Sequence, residues 1–188
     1  MSQDAPAPFQ QGALDALCAF YAIINATRLA APAGRVLSQH ASRSLFRAMA
    51  KGAQKRRLLL DMLTDGVSPE ELEQLLGDAA RWLARARLTL TWHRPFADLE
   101  AVPLEDWLRC VDQHLDQPSR SVIVSIGGAL DHWSVVRRVG SVSITLADST
   151  GRRQLMITAC EAGLDQEDAR YRLPPCALFL LDLAVTDN

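Results

Sequence analysis

Cys18, His132 and Asp148 are of the three residue types that nucleophilic acyl chemistry needs. Cys18 stands in QQGALDALCAFY, where an apolar helix opens. His132, in IGGALDHWSVV, follows a glycine-bearing loop and begins an alternating run. Asp148, in LADSTG, ends a second such run just before a turn. The thiolate is the nucleophilic form of a cysteine, and a helix N-terminus favours its negative charge. A neighbouring imidazole takes the thiol proton and later returns one to a leaving group. A carboxylate on the far side of the ring fixes its tautomer. Gln11 and the backbone N–H of Cys18 are the candidates for stabilising an oxyanion.

The elements between these residues decide whether they meet. If the VGS at 139–141 closes a hairpin, the strand begun by His132 and the strand ended by Asp148 lie antiparallel. The carboxylate then returns to the imidazole. Each residue also has a plainer explanation: Cys18 as a core thiol, His132 as a strand-edge histidine, Asp148 as a turn residue. Residue type, element position and order, taken together, favour the chemistry.

The first half of the chain has helical periodicity. Leu17, Phe20, Tyr21, Ile24 and Leu29 recur at helical spacing, with a start at Gly12 or Asp15 and a stop at the APAG of 31–34. A second helix is expected over Leu37 to Ala53, with Leu45, Phe46 and Met49 inward, and a short one over 58–66 ending at Gly66. Ser68-Pro69-Glu70-Glu71 is a helix start: serine caps, proline fits the first turn, and the glutamates suit the positive end of the dipole. That helix runs to about Arg85. LTLTWH alternates as a half-exposed strand does. Pro103 then opens a helix with Trp107, Leu108, Val111 and Leu115 as its stripe and Cys110 packed nearby.

From Ser121 the period becomes two. SVIVSIG, HWSVVRRV, VSITLAD, RRQLMIT and ALFLLDL make about five strands. Helices followed by strands argue for one α+β domain over 1–188, its helical part (about 13–116) packed on an antiparallel sheet (about 121–185). The polar stretch 159–175 is expected to be a surface loop, and Asn25 a buried residue tying helix to sheet.

With 48% hydrophobic and 22% charged residues, the chain can bury a substantial core. A net charge of −2 sets up no broad field for nucleic acid or anionic membrane, and the basic clusters near Lys51–Arg57 and Arg81–Arg87 are expected to be solvated helix faces. The N-terminus lacks the pattern of a signal peptide, and no segment has the roughly 18 apolar residues that span a bilayer. Cys18, Cys110, Cys160 and Cys176 are widely spaced and expected as free thiols of the cytoplasm. The four histidines are scattered, so no metal or other cofactor is expected.

Gln11, the helix-opening Cys18, DHWSVV and LADSTG together resemble the papain-like cysteine peptidases, nearest the compact bacterial branch that includes bacteriocin leader-processing peptidase domains. The likeness runs along nearly the whole chain in order, with its specific motifs at 10–25 and 122–151. It implies a papain-like fold with Cys18 as nucleophile, His132 as base, Asp148 as orienter and Gln11 as oxyanion donor; Gln10 and Asp15 are alternatives for that last place. The function this implies is a thiol hydrolase that attacks a peptide or amide bond through a thioester. The same residues serve acyl transfer or deamidation, and a binding module without turnover would also retain them.

Overall fold

The computed structural model describes residues 8–9, 16–164 and 169–186. Helix α1 (Cys18–Leu29) is buried nearly all round, from Phe20, Ile23 and Ile24 to Asn25 and Thr27, as a central helix must be. It ends where Pro32 approaches, since the residue before a proline is pushed out of helical geometry. Asn25 does not tie this helix to the sheet. Its amide accepts from Phe9 N at 2.8 Å and donates to Phe9 O at 3.2 Å, while the Arg28 guanidinium covers the Phe9 ring at 4.6 Å. An amide side chain matches a peptide group, so Asn25 pins the N-terminal approach to α1.

Helix α2 (Gln39–Lys55) starts at Ser38, whose hydroxyl accepts from Ala41 N, and buries Leu45 and Met49. Helix α3 (Leu59–Thr64) is a short turn of chain leading to α4 (Pro69–Ala84). At the start of α4 the expected cap is a full capping box: Ser68 Oγ accepts from Glu71 N at 3.2 Å, and Glu71 Oε2 accepts from Ser68 N at 2.8 Å.

Gly52 of α2 lies against Asp78 of α4. A Cβ there would collide with the carboxylate of Asp78, a buried side chain held by Arg56 (2.7 Å) and Arg81. Glycine to alanine inside a helix ordinarily gains up to about 1 kcal/mol, whereas forcing an atom into a filled site costs about 1–3 kcal/mol. Here the second effect wins, because Asp78 cannot retreat without leaving its partners. Gly52→Ala is therefore expected to lower stability by about 1–2 kcal/mol in chemical denaturation. A midpoint above wild type would contradict this packing.

Strand β1 (Leu88–His93) precedes helix α5 (Leu104–Leu115). Then follow β2 (Arg120–Gly128), β3 (His132–Val139), β4 (Ser143–Leu146), β5 (Gln154–Met156), β6 (Cys160–Glu161), β7 (Tyr171–Arg172) and β8 (Leu178–Val185). The strands form one open sheet in the order β1-β8-β2-β3-β4-β5, with β7 paired to the end of β2. All pairings are antiparallel except β6 with β7. The chain is thus α+β, with eight strands among the described residues rather than about five.

Both faces of the sheet are covered. Ile123, Trp133, Val135, Phe179 and Leu181 face α1, α2 and α4. Val122, Val124, Ile126, Leu178 and Leu180 face the other way, towards Trp107 and Val111 of α5. This is why β2 and β8 are apolar at successive positions: a strand buried on both sides loses the simple alternation. The stretch 159–175 is not merely a surface loop, because Cys160, Ala162, Tyr171 and Leu173 are buried against the α5 side. No described helix is long and apolar enough to cross a membrane.

Candidate active site

Cys18 is the first residue of α1. Its N–H is among the first-turn donors that have no acceptor within the helix. The chain reaches it through Ala16, whose N–H bonds to Leu63 O at 3.2 Å, and the Cys18 thiol lies 3.9 Å from Ala16 O. His132 is the first residue of β3, reached through a loop with Gly128 and Asp131 at positive φ (77° and 46°). That left-handed backbone turns the chain sharply enough to start β3 against β2, where His132 pairs with Ile126.

The hairpin expected between His132 and Asp148 is present. β3 and β4 pair antiparallel through the turn in which Gly140 N bonds to Ser143 O, and Ala147 N extends the ladder to Val135 O. Asp148 Oδ2 consequently lies 2.8 Å from His132 Nε2. Cys18, His132 and Asp148 are 7%, 8% and 2% exposed, so the group lies largely out of water.

Asp148 is held more tightly than a two-partner reading foresees. Its Oδ2 also accepts from Ser134 Oγ at 2.7 Å. Its Oδ1 accepts from Thr150 N at 2.7 Å, Thr150 Oγ1 at 2.6 Å and Arg152 N at 3.4 Å. Ser134 and Thr150 escaped sequence reasoning. The available signals were the two-residue offset from His132 to Ser134, which puts both on one strand face, and the Asp-x-Thr spacing of an Asx turn.

The charges follow from these contacts. Burial opposes ionising His132, but hydrogen bonds with Asp148 and Cys18, and the negative charge of both, outweigh it and raise its pKa to about 9. Burial likewise opposes ionising Asp148, but the hydrogen bonds from His132, Thr150 and Ser134 win and hold its carboxyl well below the usual carboxylate range. Asp148 occupies Nε2, so Nδ1 is the ring nitrogen left for the thiol.

A cleft of about 670 Å³ opens on Cys18 and His132. One wall is the turn at 64–68, fastened to the sheet by Trp133 Nε1 donating to Val67 O at 2.7 Å. Trp133 also packs edge-on against Phe179 (5.9 Å between centroids), so it both lines the cleft and fills the core. The charged lining includes Asp61, Asp65, Glu71 and Asp131, and no lysine or arginine among the described residues.

Gln11, Gln10 and Asp15 lie outside the described residues. Cys110 is half-buried against the α5-side core, and burial pushes its thiol pKa up; burial also raises that of Cys160 to about 11. All four cysteines are free thiols. Among the described residues no group of three or more His, Cys, Asp or Glu side chains is placed to hold a metal ion. Neither a protein-family model nor a curated protein matches the chain.

Proposed function

We propose that this chain is a thiol hydrolase of papain-like kind, a cysteine peptidase acting on a peptide or amide bond. The observation that carries the reading is the buried His132–Asp148 pair, Nε2 to Oδ2 at 2.8 Å, in a cleft that the helix-opening Cys18 also lines. The Cys18 thiolate attacks the carbonyl carbon, and the carbonyl electron pair moves to oxygen. As the C–N bond breaks, the imidazolium gives its proton to the departing amine and a thioester remains. Water then attacks the thioester, His132 takes the water's proton, and the acid leaves as the thiolate is restored. Asp148 keeps the ring oriented throughout without itself accepting the proton. The Cys18 N–H, at the start of α1, is the oxyanion donor this structure offers, and Gln11 is the side chain the sequence resemblance adds to it.

Limited alkylation with iodoacetamide at pH 6, followed by peptide mapping, tests the assignment. A thiol beside an imidazolium reacts at that pH, whereas buried thiols of raised pKa do not. Cys18 is expected to be modified first, with Cys110 and Cys160 untouched. Equal, slow modification of every cysteine would sink the reading.

A further inference from the structure

Helix α2 carries a cation at every fourth position, Arg43, Arg47, Lys51 and Lys55, and no acidic residue anywhere along it. At about 1.5 Å per residue this is one positive charge per about 6 Å on a single face. Like charges so placed repel one another, and solvated helices usually relieve this with interleaved acids. The relief is absent here.

Helix α4 runs antiparallel beside this stripe, since Trp82 Nε1 reaches Ser44 Oγ towards one end and Arg56 reaches Asp78 towards the other. Between the helices lies a groove of about 640 Å³ lined by Arg47, Lys51, Lys55, Arg56, Arg81 and Arg85. Its one carboxylate, Asp78, is already committed to Arg56 and Arg81. Arg47, Lys51, Lys55 and Arg85 are exposed and form no ion pair among the described residues. The groove shares no lining residue with the Cys18 cleft.

We propose that the groove between α2 and α4 binds a nucleoside di- or triphosphate. Its volume lies within the roughly 300–1,000 Å³ of small-molecule sites. Arg47 to Lys55 spans about 12 Å, enough to bracket a short phosphate chain. Four of the six cations are arginines, whose planar forks match phosphate oxygens two at a time. The half-buried Trp82 ring, its N–H fixed by Ser44, offers an aromatic surface in the same groove for a base to stack on. The chain's net charge of −2 supplies no broad positive field along which a long nucleic-acid strand would lie.

Calorimetric titration of the full chain with ATP is the test, with a single-stranded oligonucleotide and a glutamate-rich peptide as competing classes. ATP is expected to bind in the micromolar range and more weakly as salt rises. Lys51→Glu and Arg85→Glu should each weaken it at least about tenfold, because each removes one phosphate contact and adds a repulsion. Both variants should melt like wild type and keep the alkylation pattern of Cys18. The proposal is overturned if millimolar ATP gives no binding, if the variants bind it unchanged, or if the oligonucleotide or peptide binds more tightly than ATP. None of these outcomes touches the hydrolase reading, which rests on a different cleft.

Discussion

Replacing Asp148 with alanine is expected to lower stability by about 3–5 kcal/mol. The carboxylate is 2% exposed and accepts from His132, Ser134, Thr150 and the Arg152 backbone. Its removal leaves a buried imidazole without its counter-charge and the buried Ser134 hydroxyl without an acceptor, while the exposed Thr150 hydroxyl can turn to water. Ser134→Ala, which removes only one donor, is expected to cost about 1 kcal/mol. Urea unfolding of the two variants, read with unchanged m-values, decides the ranking. Equal costs would mean that Asp148 is only a turn residue.

The pH dependence gives the same pair an independent signature. His132 has a folded pKa raised to about 9, above its unfolded value near 6.5. Its contribution is therefore complete below about pH 6.5 and lost as pH rises from there through about 9. Asp148 has a depressed folded pKa, so its contribution is present above about pH 3.9 and lost as pH falls. Melting temperature should accordingly decline between about pH 6.5 and 9, and in Asp148→Asn this decline should flatten. A wild-type midpoint that rises across that interval would mean that His132 is buried as the neutral ring.

Legibility in the sequence divides along local and non-local lines. The serine cap at Ser68, the short helix ending before Gly66 and the alternation of LTLTWH are written within a few residues, and each forms where expected. The hairpin that joins His132 to Asp148 is also local in this sense, being two strands and one turn. The central position of β8 is not local. The last strand pairs with β1 on one side and β2 on the other, and nothing in ALFLLDL names those partners. The amphipathic stripe of α5 shows that one face is buried, but not that it covers the sheet face opposite α1. Cys160, Ala162, Tyr171 and Leu173 sit in a polar stretch that hides them as core positions. At the site, a thiol, an imidazole and a carboxylate stand out by type. Ser134 and Thr150 do not, since a hydroxyl in a strand or turn is ordinary until the carboxylate it meets is known.

Cys18→Ser is expected to abolish turnover, by at least about 10³-fold, while moving the melting temperature little. The sulfur's contact with Ala16 O is long, 3.9 Å, and a hydroxyl of similar size fits the same place at the start of α1. A serine there lacks the soft, anionic nucleophile that the imidazolium supports, so the first bond-forming step fails although His132 and Asp148 remain paired. His132→Ala should also lose turnover, but it separates chemistry from folding less cleanly. It strands the Asp148 carboxylate in a buried site and should cost several kcal/mol besides. Cleavage of a mixed peptide library, followed by mass spectrometry, alongside thermal melts gives both readings. If Cys18→Ser cleaves as fast as wild type, another group is the nucleophile. If instead it melts far below wild type and Cys18 is never alkylated at pH 6, the thiol belongs to the core of α1.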